Sequence, residues 1–507
     1  MNIRMKKLSL IMLTSVLTMA GRAQNDNNIV IGKMEKVYSN ILGEQRMIWI
    51  YTPDMTSNNH DPNLHYPVLY LLDGNVHFHS VVGLVQQLSQ ANGNTVLPEM
   101  IIVGITNTDR IRDLTPTHVE SDLPEMDSNF SRTSGGGNNF MAFIEKELMP
   151  HIDSLYPTAP YNVLIGHSFG GLTVMDALAN HTKIFNACIA IDPSMWYDHE
   201  HFLAETEKKL SENKYNTTRL YMGIANTLPQ GMTLTQMKKD KSDATRHIRS
   251  IFELDAFLKA NPQNLLKYAS SYYKEDSHVS VPMAGEYDGL RFIFDYYRIN
   301  LTEKDFADTT DAIVGKYKKH YGIVSGQMGY KISPPEPFIN YLGNNALENS
   351  NYKKAEGLFK MNVENYPNSV NAYNAYADFL VTQKDTVNAI LNYRKALILN
   401  DNANTKRKLN SLEGKETFTL KEPELRKYAG MFNIEGFTAI VLLQVKNGGL
   451  WSSVSGQHET ELIPVSPDTF TLKNASGYTI SFQLEEGKVT GFTSVQPNGI
   501  FKAHLKS

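Results

Sequence analysis

Val163-Leu164-Ile165-Gly166-His167-Ser168-Phe169-Gly170-Gly171 decides the reading of this chain. Its apolar start reads as a buried strand, a G-x-S-x-G pentapeptide follows, and Leu172 to Ala179 reads as a helix. A serine hydroxyl is a poor nucleophile until it is held beside a base and aimed at a carbonyl. A sharp strand-to-helix turn supplies the aim, and the flanking glycines suit a turn with no room for Cβ atoms. Ser168 is therefore the candidate nucleophile.

The sequence around this turn alternates strand and helix from about residue 29 to residue 300. Apolar runs occur at Met47–Tyr51, Val68–Leu72, Met100–Ile105, Cys188–Ile191 and Leu220–Ile224, with Tyr268–Tyr273 as a further strand. Continuous apolar runs fit parallel strands buried on both faces. The pattern predicts an α/β fold, a doubly wound and mostly parallel sheet of the α/β-hydrolase kind.

A nucleophile of this type needs a base after the last strand and an acid between the two. His278 stands in the loop after Tyr268–Tyr273, 110 residues beyond Ser168, and is the candidate base. The acid stays open. The loop after Leu220–Ile224 begins Ala225-Asn226-Thr227 and has no carboxylate at the strand end. Asp240 and Asp243 follow in a polar segment, Glu275 and Asp276 adjoin the histidine, and Asp192 follows the Cys188 strand. A Ser–His dyad, its imidazole oriented by a carbonyl or Asn226, is the remaining reading. The oxyanion hole is expected from the N–H of Phe169 and from the Asp73-Gly74-Asn75 loop, at Gly74 or Asn75.

Arg110 and Arg112 lie in the loop after Met100–Ile105, where α/β ligands bind, and are candidate contacts for an anionic or catecholate substrate; Trp196 is a candidate for the pocket lining. His77 and His79 form an H-x-H pair, but no third and fourth ligand accompanies them, so neither a metal nor another cofactor is expected.

Six segments in order carry a family resemblance. They are Leu71–Gly74, Arg112–Pro116, Gly135–Gly137, Gly166–Gly171, Asp192–Trp196, and His278–Pro282 with Tyr287–Arg291. From about Val37 to Ile299 the chain resembles the esterase family of α/β hydrolases, which includes esterase D-like, feruloyl and siderophore esterases. The likeness is greatest to the branch acting on catecholate siderophore esters. The resemblance implies Ser168 as nucleophile and His278 as base. Some members of that branch are described as dyads. The resemblance transfers no substrate.

The 507 residues suggest about three domains, with 41% hydrophobic and 20% charged residues. A net charge of −4 gives no electrostatic case for a nucleic-acid partner. Residues 1–23 read as a signal peptide. Arg4, Lys6 and Lys7 precede the apolar Leu8–Ala20, and Gly21-Arg22-Ala23 offers a cleavage site. Export is expected, most simply to a periplasm, with secretion as the variant. No membrane span is expected after its removal. Cys188, the single cysteine, excludes an internal disulfide and reads as a small buried hydrophobe.

Beyond residue 300 a linker is expected over 301–335. Residues 336–412 then hold two helical units offset by 34, aligning Leu342 with Tyr376, Ala346 with Leu380, Ala355 with Ala389 and Phe359 with Tyr393. This period resembles tetratricopeptide repeats, which imply a protein partner and packing on a neighbouring domain. Residues 417–507 alternate as short strands, including Phe418–Leu420, Ala439–Leu443, Phe470–Leu472, Tyr478–Phe482 and Ile500–Ala503. They read as a small antiparallel barrel or sandwich. Leu425–Phe432 there resembles lipocalin-like domains appended to bacterial exported hydrolases.

The residues together point to a serine esterase acting on a small-molecule ester, whether siderophore, feruloyl or acetyl. An acyltransferase on the same scaffold is the alternative chemistry. A binding or scaffolding protein built on the repeats and β domain is the alternative class.

Overall fold

The structure, a computed structural model, describes residues 29–53, 64–120, 128–415, 418–437, 439–454, 459–473, 478–496 and 499–506. Residues 1–23, read as a signal peptide, lie outside the described residues. No described helix is long and apolar enough to cross a membrane.

The first unit is built on a sheet of β1 (Lys33–Ser39), β2 (Glu44–Tyr51), β3 (Tyr66–Leu71), β4 (Ile101–Ile105), β5 (Thr158–His167), β6 (Ala187–Ile191), β7 (Arg219–Ala225) and β8 (Lys267–Tyr273). Their order is β1-β2-β4-β3-β5-β6-β7-β8. The β1–β2 and β2–β4 pairs are antiparallel, and every later pair is parallel. β1, too polar to stand out in the sequence, supplies the antiparallel edge.

Successive residues of one strand enter different apolar layers. Leu164, Cys188 and Leu220 pack on one face, while Val163, Ile165, Ile189 and Tyr221 pack on the other. That double burial is why these strands are continuously apolar. Cys188 is 1% exposed, and burial pushes its thiol up to about 12. It behaves as the buried hydrophobe expected of it.

Strand order reverses around β3, which lies between β4 and β5. A crevice opens at the carboxyl ends of strands at such a switch point. The loop after β3 and the turn after β5 both meet it.

Residues 301–335 hold two helices, Glu303–Ala307 and Ala312–Met328, where a linker was expected. Ile313 and Tyr317 of the longer one pack against Ile339, Leu342, Leu358 and Met361. The helices that follow keep the 34-residue offset: Glu336–Glu348 is matched by Val370–Thr382, and Tyr352–Asn365 by Thr386–Leu399. Ala346, Ala355, Phe359, Leu380 and Ala389 share one core, so small residues sit where helices touch.

The last unit is a closed antiparallel barrel, and closure decides between the two architectures expected. Its strands are β9 (Gly430–Ile434), β10 (Ile440–Lys446), β11 (Gly449–Val454), β12 (Thr460–Ser466), β13 (Thr469–Leu472), β14 (Thr479–Glu485), β15 (Lys488–Gln496) and β16 (Gly499–Leu505), with β16 pairing back to β9. Phe418–Leu420, expected as a strand, is irregular and precedes the barrel. Tyr428, Phe432, Phe470, Phe482 and Phe492 fill the interior, with ring centroids such as Tyr428–Phe482 only 4.7 Å apart. An eight-stranded barrel is just wide enough for side chains to fill it, and here aromatic rings do so.

Candidate active site

β5 ends at His167, and Ser168 takes φ 61° and ψ −115° before the helix Phe169–Asn180 begins. A non-glycine residue rarely adopts positive φ, and here the strain lifts the hydroxyl above the sheet. A Cβ at Gly166 would sit 2.3 Å from the Gly170 carbonyl oxygen, so the turn closes only with glycine there.

His278 follows β8, and its Nε2 lies 3.1 Å from Ser168 Oγ. Its Nδ1 lies 2.6 Å from Asp192 Oδ2. Asp192 directly follows β6, the strand beside β5, and is fully buried. Its N–H donates to the Gly223 carbonyl at 2.7 Å, and its Oδ1 accepts the Ala225 N–H at 2.9 Å. A second histidine, His247, places Nε2 2.8 Å from the same Oδ2.

Burial alone would raise the Asp192 carboxyl. The His247 and His278 hydrogen bonds and the Ala225 N–H outweigh it and hold the group well below the usual carboxylate range. An ionised carboxylate only accepts, so His278 must carry its proton on Nδ1. Nε2 is then free to accept the serine proton.

Among the acids weighed from sequence, the structure brings Asp192 to the imidazole. Asp240 instead accepts from Ser242 and Thr245 hydroxyls at 2.6 and 2.5 Å. Asp243 is exposed at the start of a turn of 3-10 helix. Glu275 is exposed and pairs with Lys274 at 3.4 Å. Asp276 accepts the Ser280 hydroxyl at 2.8 Å, and Asn226 donates to the Lys274 carbonyl at 2.8 Å. Asp240, Asp276 and Asn226 are occupied by local hydrogen bonds and Glu275 by an exposed ion pair, and the carboxylate beside His278 is Asp192. Against the dyad reading, the imidazole has a carboxylate partner in Asp192.

The two expected oxyanion donors each open a helix: Gly74 starts Gly74–Ser89 and Phe169 starts Phe169–Asn180. First-turn N–H groups point out of the helix N-terminus. The two loops touch, since a Cβ on Gly170 would lie 3.3 Å from Asp73 Oδ2 and 3.4 Å from Leu72 Cβ. Asp73, at φ 51°, is gripped by Arg110 through contacts of 2.7 and 2.9 Å and by Asn107 at 2.6 Å. Arg110 also lies over the Phe169 ring, 5.6 Å from its centroid.

Arg112 does not reach this crevice in the manner expected of a substrate contact. It pairs with Glu44 at 2.6 Å and Asp113 at 2.8 Å, beside the buried Arg46–Asp113 pair. Of the two arginines, Arg110 is the one beside the Ser168 turn, its guanidinium 3.4 Å from the His167 carbonyl oxygen. Trp196 is half-buried, with its ring 6.0 Å from that of Phe169.

Among the described residues, neither His77 nor His79 belongs to a cluster of three or more side chains placed to ligate a metal. His77 meets the buried Glu286 at 3.1 Å, and His79 packs on Trp49. Among the described residues, Asp192, His247 and His278 offer three ligand atoms within 4.8 Å of one another. The 2.6 and 2.8 Å separations are those of imidazole N–H groups donating to a carboxylate.

His167 contributes a further contact: its Nε2 donates to the His278 carbonyl at 2.8 Å. Burial, aided by the nearby His278 and His77 imidazoles, lowers His167 to about 4 from 6.5. Between those two values the unfolded chain binds the extra proton, so stability rises with pH. The neutral side chain is fully accommodated above pH 6.5, and the protein loses on the order of 2–3 kcal/mol as pH falls toward 4. His167→Gln removes that titration. Thermal unfolding at pH 7.5 and 4.5 is expected to show a smaller acid loss in the variant than in the wild type.

Asp192 could have been singled out in the sequence by its place at the carboxyl end of a fully apolar strand. His247 had no such signal, being one of 15 histidines and lying on the helix Arg246–Ala260.

The family model described as "Putative esterase" matches residues 39–261. The ferri-bacillibactin esterase BesA of Bacillus subtilis is 32% identical over 173 residues, 32% of this chain and 60% of that protein. The apo-salmochelin esterase of Escherichia coli is 33% identical over 157 residues, 29% of this chain and 46% of that protein. The chain thus spans about half the length of these curated relatives. The solved IroE-like serine hydrolase of Shewanella oneidensis is 32% identical with a TM-score of 0.54, over 66% of this chain and 99% of that one. With that relative covered almost end to end and the model matching the α/β unit, the chain belongs to the "Putative esterase" family of α/β hydrolases.

Proposed function

We propose that this chain is a serine esterase working through an acyl-enzyme on Ser168. The observation that carries the reading is the continuous relay Ser168–His278–Asp192, with steps of 3.1 and 2.6 Å, at the carboxyl ends of β5, β6 and β8. His278 takes the serine proton as Oγ attacks the ester carbonyl, then gives it to the leaving alkoxide. Asp192 holds the imidazole in the competent tautomer and stabilises the imidazolium. The N–H groups of Phe169 and Gly74 receive the developing oxyanion. Water, deprotonated by the same imidazole, then releases the acid.

Substrates with an aromatic or anionic acyl group suit the crevice, where the Arg110 guanidinium, the Phe169 ring and Trp196 lie together. Two further relatives, from Emericella nidulans and Aspergillus fumigatus, bear the names siderophore enterobactin esterase and siderophore triacetylfusarinine C esterase, which supports a siderophore ester as the substrate class. The basic, apolar and small-residue pattern of residues 1–23 supports action outside the cytoplasm.

A fluorophosphonate probe tests the mechanism, and an ester panel tests the substrate. The protein is expected to be labelled at Ser168 and to hydrolyse a catecholate siderophore ester faster than feruloyl or short-chain esters. Absence of labelling in folded protein would overturn the nucleophile. Labelling with a preference for feruloyl or acetyl esters would overturn the substrate class alone.

A further inference from the structure

We propose that His247 is a positioning residue for the acid of this site, pinning Asp192 so that its carboxylate presents one fixed oxygen to His278. The inference deepens the esterase reading and depends on it.

Asp192 is fully buried and takes three N–H donors, Ala225 on Oδ1 and both histidines on Oδ2. The two imidazole rings stand 5.1 Å apart and nearly perpendicular, at 87°. They therefore approach one oxygen from separate directions, and a carboxylate oxygen has two lone pairs to receive them. With the Ala225 N–H on the other oxygen, rotation of the carboxylate would break donors at both ends. A buried polar group left unsatisfied costs more than the net worth of its hydrogen bond, so the position is well determined.

Three separate pieces of the fold make this clamp. Asp192 comes from the end of β6, Ala225 from the end of β7, and His247 from the first turn of the helix Arg246–Ala260. The helix therefore fixes the acid through a residue outside the catalytic loop. His247 is one-fifth exposed, so solvent reaches the clamp at this point. Because the carboxylate accepts from both rings, His247 must carry its proton on Nε2.

The test compares His247→Leu with His247→Gln in the full chain. Leucine fills space but cannot donate, whereas the glutamine amide can donate to Asp192. The leucine variant is expected to lose about 10- to 100-fold in kcat with KM nearly unchanged, as small misplacements of catalytic groups do. The glutamine variant should regain most of the loss. Leucine turnover equal to wild type, equal losses in both variants, or a loss confined to KM would overturn the proposal.

Nitrogen NMR of the wild-type histidines decides the matter even if a variant does not fold. A His247 protonated on Nε2, that proton slow to exchange, is expected; an unprotonated Nε2 would overturn the proposal. If the wild type hydrolyses no ester, the functional reading fails while this tautomer measurement still stands.

Discussion

Ser168→Ala is expected to lower kcat for ester hydrolysis on the order of 10⁶-fold, about 8 kcal/mol of transition-state stabilisation. The loss is that large because the hydroxyl is the single atom that forms the bond. What survives is the contribution of binding and the oxyanion donors, which act on water as a poor substitute nucleophile. Alanine keeps the Cβ and the same backbone angles, so the turn between Gly166 and Gly170 is unchanged and Tm should remain that of the wild type. His278→Ala should lose nearly as much, and the double variant little more, since the two groups act as one unit. Initial rates on a chromogenic ester, with thermal unfolding of each variant, check this. A Ser168→Ala protein retaining even a hundredth of wild-type kcat would show that another group attacks the ester.

The strand–turn–helix that presents Ser168 was legible because everything that makes it is local. An apolar strand, two glycines without room for side chains and an apolar helix lie within seventeen residues, Val163 to Ala179. The place of His278 beside Ser168 was legible for a related reason, since the loop after the last parallel strand starts at the carboxyl edge of the sheet. The acid was not legible, because a carboxylate is selected by tertiary register rather than by its neighbours. Asp192 reaches His278 only because β6 lies between β5 and β7 and because Gly223 and Ala225 hold its backbone and side chain. Asp240 and Asp276 have equally polar surroundings in sequence, yet short-range hydrogen bonds turn them away. The same limit separated Arg110 from Arg112: two residues apart on a short helix, one faces Asp73 and the other Glu44. Barrel closure was likewise beyond the sequence, because alternation sets the faces of each strand but not whether the first and last strands pair.

Asp192→Asn is the sharper test of the relay, with an expected fall in kcat of about 10⁴-fold and KM nearly unchanged. Every partner of the native carboxylate is a donor: the Ala225 N–H on one oxygen, and two imidazole N–H groups on the other. An amide has one accepting end and one donating end. The backbone N–H cannot become an acceptor, whereas an imidazole can exchange tautomers. The asparagine oxygen is therefore drawn to Ala225, and its NH₂ faces His278 and His247. His278 must then accept at Nδ1 and carry its proton on Nε2, pointing at Ser168. In that tautomer it can no longer take the serine proton, although no catalytic atom has moved. The fluorophosphonate reaction should slow with turnover, because both need the same deprotonation. Wild-type rates in this variant would mean that the imidazole needs no carboxylate and that the clamp around Asp192 serves folding alone.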